Sequence, residues 1–231
     1  MNPAAKIASP IWPSIAWLTV ILAGFIGPVI AVWQFLPSKG GGEALAVIGP
    51  ILAIGLMGSG IIGAAVAGRL SVGIVLSLLS GLSTILLSLA LDLPPLSAPL
   101  SAGLVFLIAS ISFAARGFLF SRSMMDKGWW MALFVVAGEA AILITAAIWP
   151  GQLPDWLLAL LPAQWTNMAL HAVLIGASGA TLLTTLFALA ATAAATLSVA
   201  LLWPRRWPYL IMCSTWLVCS ALVWNYAVAV H

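Results

Sequence analysis

From Trp129 to Trp149 the chain reads WWMALFVVAGEAAILITAAIW, an apolar run with tryptophan at both ends and one acid, Glu139, in its middle. About twenty apolar residues wound as a helix reach roughly 30 Å, the thickness of a bilayer's hydrocarbon core. Tryptophan is enriched where such a helix meets the headgroups. This run therefore reads as a membrane-spanning helix, and it carries the one carboxylate placed deep in the bilayer.

The rest of the chain repeats the pattern. Apolar runs cover 11–36, 44–67, 71–91, 101–120, 172–203 and 209–230. Of the 231 residues 64% are hydrophobic and 6% charged, where a soluble domain carries about a quarter charged residues. Barrel strands need alternating segments of about ten residues, and these runs are longer and do not alternate. The expectation is an all-α polytopic membrane helical bundle with about seven transmembrane helices, in one integral membrane domain over residues 1–231. The Pro- and Trp-rich stretch at about 153–165 is too broken to span and reads as a short interfacial helix held by Trp156 and Trp165. The proline-free stretch 166–203 is too long for one crossing, so it either projects from the membrane or breaks near Gly176–Gly179. The first span is read as an uncleaved helix bent at Pro28.

Charge gives orientation. Lys6, Arg69, Arg116, Arg122, Lys127, Arg205 and Arg206 fall on one side of this arrangement and Lys39 on the other. The positive-inside rule then puts the N-terminus in the cytoplasm and the C-terminus outside, in a bacterial-type inner membrane. The densest basic cluster is Arg205–Arg206, too small for a nucleic-acid face. Cys213 and Cys219, six residues apart, stand roughly 9 Å apart along a helix axis and on different sides, so they do not bridge each other.

Spans two and three contain no aromatic residue and carry small residues at helical spacing: Gly55, Ser59, Gly63 and Ala67 in one row, and Gly73, Ser77 and Gly81 in another. Such rows let helix backbones approach closely. They fit either a close hairpin within the chain or a contact with other membrane protein subunits.

Few polar groups are left to carry chemistry. Glu139 is the sharpest, because an ionisable group at mid-membrane is costly unless paired or protonated. Arg116 is its nearest partner, expected one to two turns closer to the cytoplasm. His171 and Asn167 share one face of the sixth span, where His171 reads as a ligand or pigment contact or as a polar anchor. Gly176-Ala177-Ser178-Gly179 resembles the GxSG nucleophile motif of the rhomboid intramembrane proteases. That resemblance implies Ser178 as nucleophile with a histidine on a later span. The chain departs from the family pattern here, since the only histidine after Ser178 is His231. With no phosphate loop, zinc-ligand spacing or paired carboxylates, the sequence assigns no catalytic residue, metal or cofactor.

Three readings follow. The first is a non-catalytic structural or accessory subunit, or an assembly factor, of a larger membrane complex, motivated by the small-residue rows, the minimal loops and the scarcity of ionisable groups within the membrane. The second is a small membrane transporter, with proton coupling as one option, using Glu139. The third, from the resemblance, is a rhomboid-like serine protease.

Overall fold

The computed structural model describes residues 11–35, 41–91, 98–124, 127–176, 179–202 and 207–230. Lys6, Lys39, Ser178, Arg205, Arg206 and His231 lie outside these. Eleven α-helices follow one another among the described residues, with no strand: α1 Ile11–Ile21, α2 Gly27–Phe35, α3 Gly41–Met57, α4 Gly63–Ala67, α5 Leu70–Ala90, α6 Pro99–Met124, α7 Gly128–Ile148, α8 Asp155–Ala159, α9 Pro162–Ile175, α10 Gly179–Leu201 and α11 Trp207–Val230. Two π-turns, Leu22–Ile26 and Gly58–Ile62, join α1 to α2 and α3 to α4 into continuous rods. Seven of the rods and helices are long and apolar enough to cross a membrane. The chain is an all-α, multi-pass membrane protein.

The α3–α4 rod is the centre of the bundle, with 89% of its membrane window buried. Its neighbours pack antiparallel and parallel in turn. Gly81 of α5 sits against Leu56 and Gly73 against Ala64, so α5 runs back along the rod. Gly81 also meets Phe106 and Gly73 meets Ala114, so α6 runs back along α5. Ser77 Oγ donates to Leu56 O at 2.9 Å and accepts from Ser110 Oγ at 2.9 Å, tying the three elements together. Val199 and Ala200, late in α10, share a cluster with Ala64, Phe118 and Leu119, and Tyr209 and Met212 of α11 pack on it. The end of α10 thus lies at the same end of the bundle as the α4–α5 and α6–α7 turns. Arg69, Arg122 and Lys127 mark this basic end.

Closest approach depends on glycine. A Cβ on Gly117 would stand 2.0 Å from Ile61 O, and one on Gly24 would stand 2.6 Å from Ser59 Cβ. The expected bend at Pro28 takes the form of the π-turn just before it. Pro28 has no N–H, so the carbonyl four residues earlier loses its helical donor. That carbonyl is Gly24 O, and the buried Ser80 hydroxyl donates to it instead. Removing this hydroxyl by Ser80→Ala is expected to cost about 1 kcal/mol. Ser83→Ala, which loses only a bond to its own helix, is expected to cost less than about 0.5 kcal/mol. Parallel denaturation in detergent distinguishes the two; equal losses would mean that Ser80 does nothing for the bend.

Two placements differ from expectation. The fourth span runs to Met124 rather than residue 120, so Arg116 lies eight residues before its end rather than four. The stretch 150–175 does not lie flat. It descends from the end opposite the basic one through α8, and returns as α9 to that same end. Trp156 is 55% exposed, but Trp165 is completely buried. Its indole Nε1–H donates to Ala159 O at 2.8 Å, within reach only because α8 and α9 fold on each other. The long stretch 166–203 breaks at Gly176, which takes the left-handed conformation at φ 68°, a backbone state that glycine adopts without a Cβ clash.

Candidate functional site

Glu139 stands eleven residues into α7, roughly 16 Å from its start along the axis. Arg116 stands eight residues before the end of α6, roughly 12 Å from the same end. The two helices are antiparallel, so these positions meet: Arg116 Nη1 donates to Glu139 Oε1 at 3.0 Å. Arg116 thus lies a little under one turn closer to the basic end, a smaller offset than the expected one to two turns, and its long stem spans the difference. The side chains are 17% and 12% exposed, respectively. The Arg116 guanidinium also lies over the Phe113 ring, 4.9 Å from its centroid, a cation–π contact that partly offsets its burial.

The second carboxylate oxygen has a different task. Helix α9 begins at this depth, and the first amides of a helix have no partner inside it. Pro162 brings none, being placed first, where its missing N–H costs nothing. The Gln164 and Trp165 amides both donate to Leu161 O, at 2.9 and 3.2 Å. The Ala163 amide remains, and it donates to Glu139 Oε2 at 3.3 Å. A carboxylate at a helix N-terminus also answers the positive end of the helix dipole. Glu139 therefore serves two elements: it neutralises Arg116 and it receives the start of α9. A third tie comes from α11, where Trp216 Nε1 donates to Leu160 O at 3.1 Å.

One donor at this centre is left over. Among the described residues, Arg116 Nη2 is the single side-chain nitrogen or oxygen that is buried with no partner. An orphan buried donor on a charged group is expensive and rare in native structures.

Above the pair, α9 is buried on every face except one. Gln164, Asn167, Met168 and His171 are half-buried along this stripe, while Pro162, Ala163, Trp165, Thr166, Ala169, Leu170 and Ala172 to Leu174 are buried. Asn167 Nδ2 donates to Gln164 Oε1 at 3.1 Å. A Cβ at Gly49 of α3 would stand 2.5 Å from Asn167 Oδ1, so Gly49 makes the room that Asn167 occupies. The sequence pairs Asn167 with His171 but passes over Gln164, although the spacing 164, 167, 171 already places all three on one helical face.

The small-residue rows lie inside the chain. Gly55 abuts Ser80 and Pro28, Gly63 abuts Leu76, and Gly73 and Gly81 meet the partners given above. Ser59 donates to Gly55 O at 2.6 Å and Ser77 is fully buried. Ala67 is half-buried at the end of α4. Gly176 ends α9, while Ala177 and Ser178 of the protease-like motif are outside the described residues. Among the described residues no three of His, Cys, Asp and Glu gather as metal ligands.

Comparison with protein-family models, with curated proteins and with solved structures returns no match.

Proposed function

We propose that this chain is a small, proton-coupled membrane transporter whose working centre is the Arg116–Glu139 pair and the half-helix that begins on it. The observation that carries the reading is the start of α9 at mid-membrane on an ionisable pair. Transporters place discontinuous helices in this way, with half-helix ends turned toward charged groups near the bilayer midplane. A purely structural pair would satisfy every donor, and here Arg116 Nη2 is left without a partner. The two π-turns fit the same reading, since π-turns recur at functional sites.

A proton on Glu139 would remove its charge and weaken its hold on Arg116 and on the Ala163 amide together. The coupling step is thus release and recapture of the start of α9. The small-residue rows lend no support to the accessory-subunit reading, because they are spent on contacts within the chain. By the positive-inside rule the basic end faces the cytoplasm of a bacterial-type inner membrane, with the N-terminus on that side.

The test is proton flux into vesicles containing the purified protein and a trapped pH-sensitive dye, under an imposed membrane potential. The double variant Arg116→Gln with Glu139→Gln removes both charges together and keeps an acceptor for the Ala163 amide, so it retains the fold. Wild-type flux is expected to exceed that of the double variant at least tenfold. Equal flux in the two proteins, or none in wild type, would overturn the reading.

A further inference from the structure

The α9 stripe poses a problem that lipid does not solve. Within a bilayer every polar group needs a partner, because hydrocarbon offers none. The Gln164 amide, the Asn167 carbonyl and the His171 ring lie in the half of the bundle between the Glu139 level and the end opposite the basic one. Their only mutual bond is Asn167 to Gln164. Since among the described residues Arg116 Nη2 is the one partnerless side-chain nitrogen or oxygen that is buried, the remaining polar atoms of the three reach open space. On a helix buried on every other face, that space runs along a single line. The line begins one residue after Ala163, whose amide touches Glu139, and reaches His171 about 10 Å higher.

We infer that the Gln164–Asn167–His171 face lines a water-filled half-channel that leads from the end opposite the basic one down to Glu139. Among the described residues the lining holds two amides and an imidazole. Each donates and accepts hydrogen bonds, so the cleft suits a file of water, and the cargo it passes is the proton. Gly49 belongs to the site, because only a residue without a side chain leaves Asn167 its place. The identity of the cargo rests on the transport reading; the aqueous cleft does not.

Reaction with a membrane-impermeant, positively charged methanethiosulfonate tests this directly. Such reagents need a thiolate, which forms in water and not in hydrocarbon. The native thiols, exposed Cys213 and buried Cys219, are first replaced as Cys213→Ser and Cys219→Ala. In vesicles of that background, Gln164→Cys, Asn167→Cys and His171→Cys are expected to react at least tenfold faster than Leu183→Cys, which stands on an exposed apolar face of α10. His171→Cys is expected to be fastest and Gln164→Cys slowest. No acceleration over Leu183→Cys at any of the three would overturn the half-channel. Hydroxyl-radical footprinting of the unmodified protein in nanodiscs gives the same answer without substitution. His171 and Met168 are expected to oxidise well ahead of lipid-facing Met131, and parity would again overturn it. Rapid labelling in a protein that moves no protons would keep the cleft and remove the transport reading.

Discussion

Glu139→Ala is expected to destabilise the protein by about 3–5 kcal/mol, the cost of breaking a buried ion pair from one side. The substitution leaves the Arg116 guanidinium inside the bundle with neither of its nitrogens Nη1 and Nη2 answered, since Nη2 has no partner to begin with. It also strips the acceptor from the Ala163 amide. Both costs fall on the same few ångströms. Replacing the two charges together, as Arg116→Met with Glu139→Met, is expected to recover most of the loss, because well-packed apolar residues often replace a buried pair without penalty. Reversible unfolding in mixed detergent micelles measures all three proteins. If the single and double variants fall equally, the damage comes from lost packing around α9 and the ion pair is not what holds it. The amide tie then makes a second expectation: the single variant exposes 150–175 to protease before it unfolds elsewhere.

Gly117→Ala is expected to be the most damaging one-methyl change in the chain. The added carbon would stand 2.0 Å from Ile61 O and 2.8 Å from Ile61 C, all backbone, so no side chain can turn aside. Either α6 moves away from the central rod or the Gly58–Ile62 π-turn deforms. Overpacking of this kind costs about 1–3 kcal/mol, and more when backbone must shift. The same change at Gly138 or Gly103 meets nothing within 4 Å, and there alanine is expected to stabilise by up to about 1 kcal/mol through helix propensity. Opposite signs for chemically identical changes are a strict test of the helix registers. Equal, small effects at all three sites would mean that α6 and the rod do not lie as close as described.

The apolar runs were legible because a bilayer imposes one length on every crossing, and their ends fall within a few residues of the helix ends except at 172, where the run crosses the Gly176 break and α10 begins only at Gly179. Glu139 was legible for the same reason: one acid in a twenty-residue apolar run has nowhere else to be. Arg116 was identified as its partner from proximity in the hairpin, although the fourth span's extent was short by a turn. The descent of 150–175 into the membrane was not legible. Its prolines and tryptophans have the composition of a surface helix, and only the tertiary bonds of Trp165, Trp216 and Glu139 reveal that the segment is drawn inward. The rows of small residues were legible as packing faces, but spacing alone cannot say whether the helix they meet belongs to the same chain.

The bond from Trp216 to Leu160 carries a consequence for biogenesis. Leu160 leaves the ribosome 56 residues ahead of Trp216, yet among the described residues its carbonyl is answered only by the indole of α11. A nascent chain halted before α11 has the central rod to receive α9 but lacks this last tie over the dip that precedes it. The tie over this dip is therefore made late, only after synthesis has passed Trp216.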